Sequence, residues 1–260
     1  LAWTIMKTTC RLMLSNLTVA LHLFWVPIVI ACLLVCQQTY LRELIRSGAR
    51  EAVSTEHTMA ALLLIVLGIL LFMRAAVAWH RWLMLGERNR WLWPRYPENE
   101  AAKYFARALL LLLLSLCVFV AVSFVMWLAF ILLTLIFGQT FLASLLLLIP
   151  SFFLLFLFLI YMVRVNVSLI AVALGKNVPL QEVISRLSSA NGVIFLTCLP
   201  LLLLMTRITT TSDQAPAEPV VLGVAALPLP AQLVIGVLAC LYWLTLLTTL
   251  YARYVEGRAL

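Results

Sequence analysis

A chain of 260 residues that is 65% hydrophobic and only 11% charged, with a mean hydropathy of +1.12, lies far outside the averages of soluble proteins. This composition excludes a water-soluble globular domain, and leucine-rich runs without alternation exclude barrel strands; residues 1–260 read as one polytopic all-α integral membrane domain. The formal net charge of +8 then reads as topology and contact with membrane lipids, anionic ones included, rather than nucleic-acid binding.

A helix needs about 20 apolar residues to cross roughly 30 Å of hydrocarbon, and six stretches are predicted spans: 17–39, 59–82, 108–137, 141–165, 193–208 and 231–254. The first is too long for a cleaved signal and no small-residue cleavage site follows it. Leu1 reads as an alternative start residue, with Met6 a further one. The second span closes on "AVAWHRWLMLGE", residues 76–87, where Trp79 and Trp82 read as interfacial anchors and Arg81 as a charge held at the cytoplasmic face. Arg74 lies two turns deeper. A guanidinium inside a span is expensive unless it snorkels or binds something, so Arg74 and Arg81 are candidate contacts for an anionic lipid or substrate. His80 and Glu87 form the best acid–base pair on offer, but on a continuous helix about 10 Å of rise separates them. If the helix stops near Gly86, Glu87 can fold back onto Arg81 or His80, first of all as a structural ion pair.

Between the second and third spans, arginines alternate with Trp91, Trp93 and Tyr96. Directly beside a span this mix reads as an interfacial aromatic belt, with a stacking and phosphate platform as the alternative; Asn99 can cap the next helix, with Glu100 at its positive end. Gly138-Gln139-Thr140 joins the third and fourth spans without a charge, and Arg164, near the end of the fourth, is the third candidate lipid or substrate contact. In "KNVPLQEVISRLSSANG", residues 176–192, Leu180, Val183, Ile184 and Leu187 recur at i, i+3, i+4 and i+7. That pattern predicts a short amphipathic helix in the headgroup layer, or equally patterned for docking a partner, stopped by Asn191-Gly192. The fifth stretch is short and holds Pro200, so a re-entrant hairpin stands beside the spanning reading. Residues 209–230 begin polar, end apolar and carry four prolines: a loop whose apolar half needs cover from the membrane, from helix ends or from another subunit.

Orientation follows from the basic residues of the short loops. With both termini inside, the cytoplasmic side holds Lys7, Arg11, Arg81, Arg88, Arg90, Arg95, Lys103, Arg107, Lys176, Arg186, Arg253 and Arg258, against Arg42, Arg46, Arg50 and Arg207 outside. Chemistry is sparse. No metalloprotease, nucleophile-elbow or phosphate-loop motif occurs, no carboxylate falls within a predicted hydrocarbon core, and the six cysteines form no CxxC pair. The sequence therefore offers no catalytic, cofactor-binding or metal site, and the protein is expected not to be an enzyme.

Trp79-His80-Arg81 with Leu85-Gly86-Glu87, Arg164 with "SLIAVALG" (168–175), and the helix from Glu182 to Arg186 leading to "ANG" (190–192) together resemble a group of multi-pass inner-membrane proteins of Gram-negative, chiefly alphaproteobacterial, type. These are similar in turn to the membrane domain attached to some glycerophosphodiester phosphodiesterases. The resemblance implies a six-span helical domain in a bacterial inner membrane and no reaction, because the catalytic barrel of the fused relatives has no counterpart here. Where such relatives often carry proline after the arginine, this chain reads Ala171-Val172-Ala173. The functional expectation is an accessory, assembly or interaction subunit of a larger membrane complex, with other membrane proteins as partners; the alternative is a lipid or small-anion permease.

Overall fold

The computed structural model describes residues 1–47, 55–87, 98–137, 141–205, 208–210, 220–222 and 229–258. Within them, five helices are long and apolar enough to cross a membrane, and a bent pair supplies a further candidate. The protein is therefore a multi-pass helical membrane protein by the length and apolarity of its helices.

The first element is one that span-seeking overlooks. Residues Ala2–Ser15 form α1, too polar to cross a bilayer, with Ile5, Thr9 and Met13 buried at i, i+4 and i+8. Trp3, Lys7, Arg11 and Leu14 are exposed. Asn16 separates α1 from the next helix: its Nδ2 donates to Leu12 O at 2.9 Å beside its own backbone N–H at 3.2 Å, a side-chain competitor for helical carbonyls.

Two helical pairs follow. The first is α2 (Leu17–Arg46) with α3 (Thr55–Leu85), the second α4 (Glu98–Phe137) with α5 (Phe141–Ala173). Gly68 lets α2 and α3 approach closely, since a Cβ there would lie 3.1 Å from Ile30 Cγ2. In the second pair, Phe119 meets Phe158 with ring centroids 5.9 Å apart. The 40 residues of α4 amount to about 60 Å of helix, twice the hydrocarbon thickness of about 30 Å. The predicted end of the fourth span at residue 165 falls well short of the end of α5, because the polar residues there satisfy themselves along the helix. Asn166 Nδ2 donates to Met162 O and Ser168 Oγ to Val165 O, each at 2.7 Å.

Gly175 ends α5. With φ at +72°, it donates to Val172 O at 3.0 Å while Lys176 N donates to Ala171 O at 2.8 Å, the paired reverse bonds of a glycine-terminated helix. Next come α6 (Leu180–Arg186), a 3₁₀ turn (Ser188–Ala190) and α7 (Asn191–Met205). Asn191-Gly192 thus opens a helix where the sequence predicted a stop. The α6–α7 pair is bent by 44°, so the sixth candidate crossing is a broken one.

A two-stranded ribbon, β1 (Ile208–Thr210) and β2 (Val220–Leu222), lies in the stretch read as an irregular loop; its antiparallel register pairs Thr209 with Val221. Helix α8 (Leu229–Leu250) then passes into a π turn (Tyr251–Val255). The densest packing gathers where α1, the end of α3, the end of α5, α6, the start of α7 and the end of α8 meet, with Ile5, Trp79, Ile170, Leu187, Ile194 and Leu250 all almost wholly buried.

Candidate functional site

The polar side chains that the sequence singles out converge on this packed base, but on one another rather than on a ligand space. On α8 three threonines, Thr245, Thr248 and Thr249, share one buried face. Each hydroxyl donates to the carbonyl four residues earlier: Thr245 to Leu241 O at 2.7 Å, Thr248 to Leu244 O at 2.8 Å, Thr249 to Thr245 O at 2.9 Å. A hydroxyl has one proton and spare lone pairs, so each oxygen is left as an acceptor. Trp79 Nε1 donates to Thr245 Oγ1 at 3.2 Å, His80 Nδ1 lies 2.8 Å from Thr248 Oγ1, and Thr9 Oγ1 donates to Thr249 Oγ1 at 3.5 Å. With the Thr248 proton committed to Leu244 O, Nδ1 of His80 is the donor and carries a proton. Helices α1, α3 and α8 are thus tied through three threonine oxygens.

Trp79 was expected at the interface with its ring among headgroups. It is 0% exposed and belongs to the core, because its indole N–H finds an acceptor on α8 instead of in the headgroup layer. Trp82 is half-buried, and its Nε1 donates to Asn16 Oδ1 at 3.1 Å, holding the α1–α2 junction against α3. Trp91, Trp93 and Tyr96 lie outside the described residues.

Arg81 is the hub of the ion pairs. Helix α3 stops at Leu85, and Gly86, with φ at +66°, reverses the chain. Glu87 consequently folds back onto Arg81, with both Nε and Nη2 at 2.8 Å from its carboxylate oxygens, a bidentate fork. Arg81 Nη1 reaches Glu100 Oε2 at 2.5 Å and Ala173 O at 3.2 Å. The Arg81 side chain is 12% exposed and its donors are spent on α4, α5 and its own helix end. The place of an anionic lipid, which the sequence reading offered Arg81, is taken by two carboxylates of the same chain. Gly175 makes room for this arrangement, since a Cβ there would lie 2.7 Å from Glu100 Oε1.

Arg164 is used in a comparable way. Its Nη2 donates to Leu187 O at 3.4 Å, Ser188 O at 3.2 Å and Asn191 Oδ1 at 2.5 Å, so a cation from α5 caps the last carbonyls of α6 and the start of α7. Arg74 is half-buried on α3, two turns before Arg81, and has an interaction of its own. His80 and Glu87 are not brought together: one faces Thr248, the other Arg81.

Around the rim, Lys176 pairs with Glu256 at 2.6 Å, Arg258 pairs with the same carboxylate at 2.9 Å and donates to Met84 O at 3.2 Å, and Arg186 pairs with Glu182 at 2.5 Å and donates to Val255 O. The face of α6 expected to rest in the headgroup layer is instead largely covered by the protein: Val183 and Leu187 are 0% exposed, with α5 and the π turn against α6.

Among the described residues the open spaces include an apolar cavity of about 310 Å³ between α3, α4, α5 and α8, with Tyr104, Ser115 and Asn166 on its wall, and two others. A groove of about 430 Å³ between α2, α3 and α8 is lined by apolar groups, among them Pro27, Ala31, Phe72, Gly236 and Leu241, with Gln232 at one edge. A polar cleft of about 460 Å³ lies between the first turns of α4 and the end of α5, bordered by Glu100, Lys103, Arg107, Gly175, Lys176 and Asn177. Among the described residues no group of three or more histidine, cysteine, aspartate or glutamate side chains could hold a metal ion.

Sequence reasoning missed the threonine ladder, although its signal was present: three hydroxyls at i, i+3 and i+4 in an otherwise apolar span mark a face that needs polar neighbours. The Arg81–Glu100 pair joins residues on separate helices and carries no local signal. Comparison with family models, with curated proteins and with solved structures finds no match to this chain.

Proposed function

We propose that this protein is a non-catalytic accessory or interaction subunit of a larger complex in a bacterial inner membrane, with six crossings counting the bent α6–α7 pair and both termini cytoplasmic. The observation that carries the reading is the fate of the polar residues at the packed base. Trp79, His80, Arg81 and Arg164 are each bonded to groups of the same chain, so the costly chemistry within the spans serves to fix the bundle. The biased distribution of basic residues supports the orientation, and the motif resemblance supports the membrane.

On this reading the groove between α2, α3 and α8 seats an apolar helix of the partner. Small residues at Ala31 and Gly236 permit the close backbone approach that drives helix association in lipid, where apolar burial alone gives little gain. A Cβ at Gly236 would meet nothing within 4 Å, so a side chain at this position starts from open space and Gly236→Leu extends into the groove. Extraction in mild detergent followed by mass spectrometry should recover a stoichiometric membrane partner with the wild type and lose it with Gly236→Leu, while the variant keeps its thermal stability. A protein that stays solitary under every gentle extraction overturns the reading.

A further inference from the structure

We infer that the cleft between the start of α4 and the end of α5 is a binding site for an anionic phospholipid, with the phosphate held by Lys103 and Arg107 and an acyl chain laid along α4. The charge balance of the base points there. Among the described residues, the charges that line the cleft are Lys103, Arg107, Lys176 and Glu100, and the ion pairs reaching Glu100 and Lys176 add Arg81, Glu87, Glu256 and Arg258. Counted over these described groups, five cations and three anions leave two positive charges in excess. The three carboxylates are all engaged, Glu87 and Glu100 by Arg81, Glu256 by Lys176 and Arg258. Lys103 and Arg107 form no ion pair among the described residues, and both border the cleft. Lys176, on the opposite wall, keeps a half-exposed ammonium beside Glu256, and Asn177 adds an uncharged polar group to that wall.

The geometry of α4 selects a lipid over a free phosphate ion. Lys103, Arg107, Leu110 and Leu114 follow one another at i, i+4, i+7 and i+11, a single face of the helix. Leu110 is 64% and Leu114 43% exposed. From Arg107 to Leu114 the helix rises about 10 Å, so a diester phosphate at the two cations has an uninterrupted apolar track beneath it for its chain. Arg107 is half-buried and Lys103 exposed, as expected of one group at the floor of a headgroup site and one at its mouth. The site is independent of the accessory-subunit reading, because it uses neither the α2–α3–α8 groove nor any partner.

The test uses the full chain, delipidated and returned to nanodiscs or detergent with defined lipid, and counts retained lipids by native mass spectrometry. The wild type should retain one phosphatidylglycerol in preference to phosphatidylcholine. The double variant K103A/R107A should lose that preference, by roughly thirtyfold at about 1 kcal/mol per basic group near the surface. Removing the same charge from the exposed face of α1, with K7A/R11A, should leave the preference intact. Millimolar inorganic phosphate should fail to displace the lipid, and Leu110→Asn should weaken retention without changing the headgroup preference. Equal retention of the two lipids by the wild type overturns the inference, as does full retention by K103A/R107A. Displacement by inorganic phosphate alone overturns the lipid in favour of a free anion.

Discussion

Helices α4 and α8 are both apolar enough to cross a bilayer, yet they relate to the protein in opposite ways. In the membrane-crossing part of α8, 56% of residues are buried within the protein, against 11% in α4. The difference tracks side-chain chemistry. Helix α8 carries threonines at three positions of one face, and each accepts a bond from a neighbouring element or supports one. Helix α4 beyond its first turns is mainly leucine, phenylalanine and valine, its hydroxyls at Ser115, Ser123 and Thr134 standing at least eight residues apart rather than clustered on one turn, with Leu110, Phe119, Phe124, Leu132 and Leu135 all exposed. In hydrocarbon, a leucine surface gains little by leaving lipid for protein, whereas small and hydroxyl-bearing faces gain packing and hydrogen bonds. What centres a membrane fold is therefore its polar minority, and the most hydrophobic helix sits at the edge.

Substitutions can break or sharpen this contrast. The largest effect is expected at Trp79→Ala, which removes a fully buried indole and its bond to Thr245; thermal unfolding in detergent should show a loss of about 3–5 kcal/mol. Arg81→Ala leaves Glu87 and Glu100 facing each other without their shared cation. Because Glu87 is partly exposed, the loss is expected near 2–3 kcal/mol, below that of a fully buried pair, and protease sensitivity at residues 86–87 should rise with it. Thr248→Val keeps shape but removes the acceptor of His80 Nδ1, for about 1–2 kcal/mol. At the other extreme, Leu135→Ala on α4, 77% exposed, should stay within about 0.5 kcal/mol of wild type. If Leu135→Ala destabilised the protein as much as Thr248→Val, α4 would be a packed helix and the contrast would fail.

The helical class and the approximate ends of the long helices were legible because hydropathy over some 20 residues is a local signal. The fold-back of Glu87 onto Arg81 was legible as well, since Gly86 sits where α3 must stop and the partners are neighbours in sequence. Helix α1 was not, because a search for spans passes over an amphipathic stretch with Lys7 and Arg11 in it. The burial of Trp79 was hidden for a different reason: the ring's position along the span suits the interface, and only the rotation of α3 relative to Thr245 decides whether it faces lipid or protein. Arg164 shows the same limit. Its depth was readable, but its work as a cap for α6 depends on a bend at residues 187–190 that no periodicity announces.

The bond between Thr9 and Thr249 joins residues 240 positions apart. During synthesis α1 and α3 leave the ribosome before α8, and α3 brings Trp79 and His80 into the membrane while the threonines that will receive them are still untranslated. Until α8 inserts, those donors and the apolar side of α1, with Ile5 and Met13, have no native seat. The native seat of these groups thus depends on α8, and a nascent chain halted before it leaves polar groups that the fold buries facing lipid.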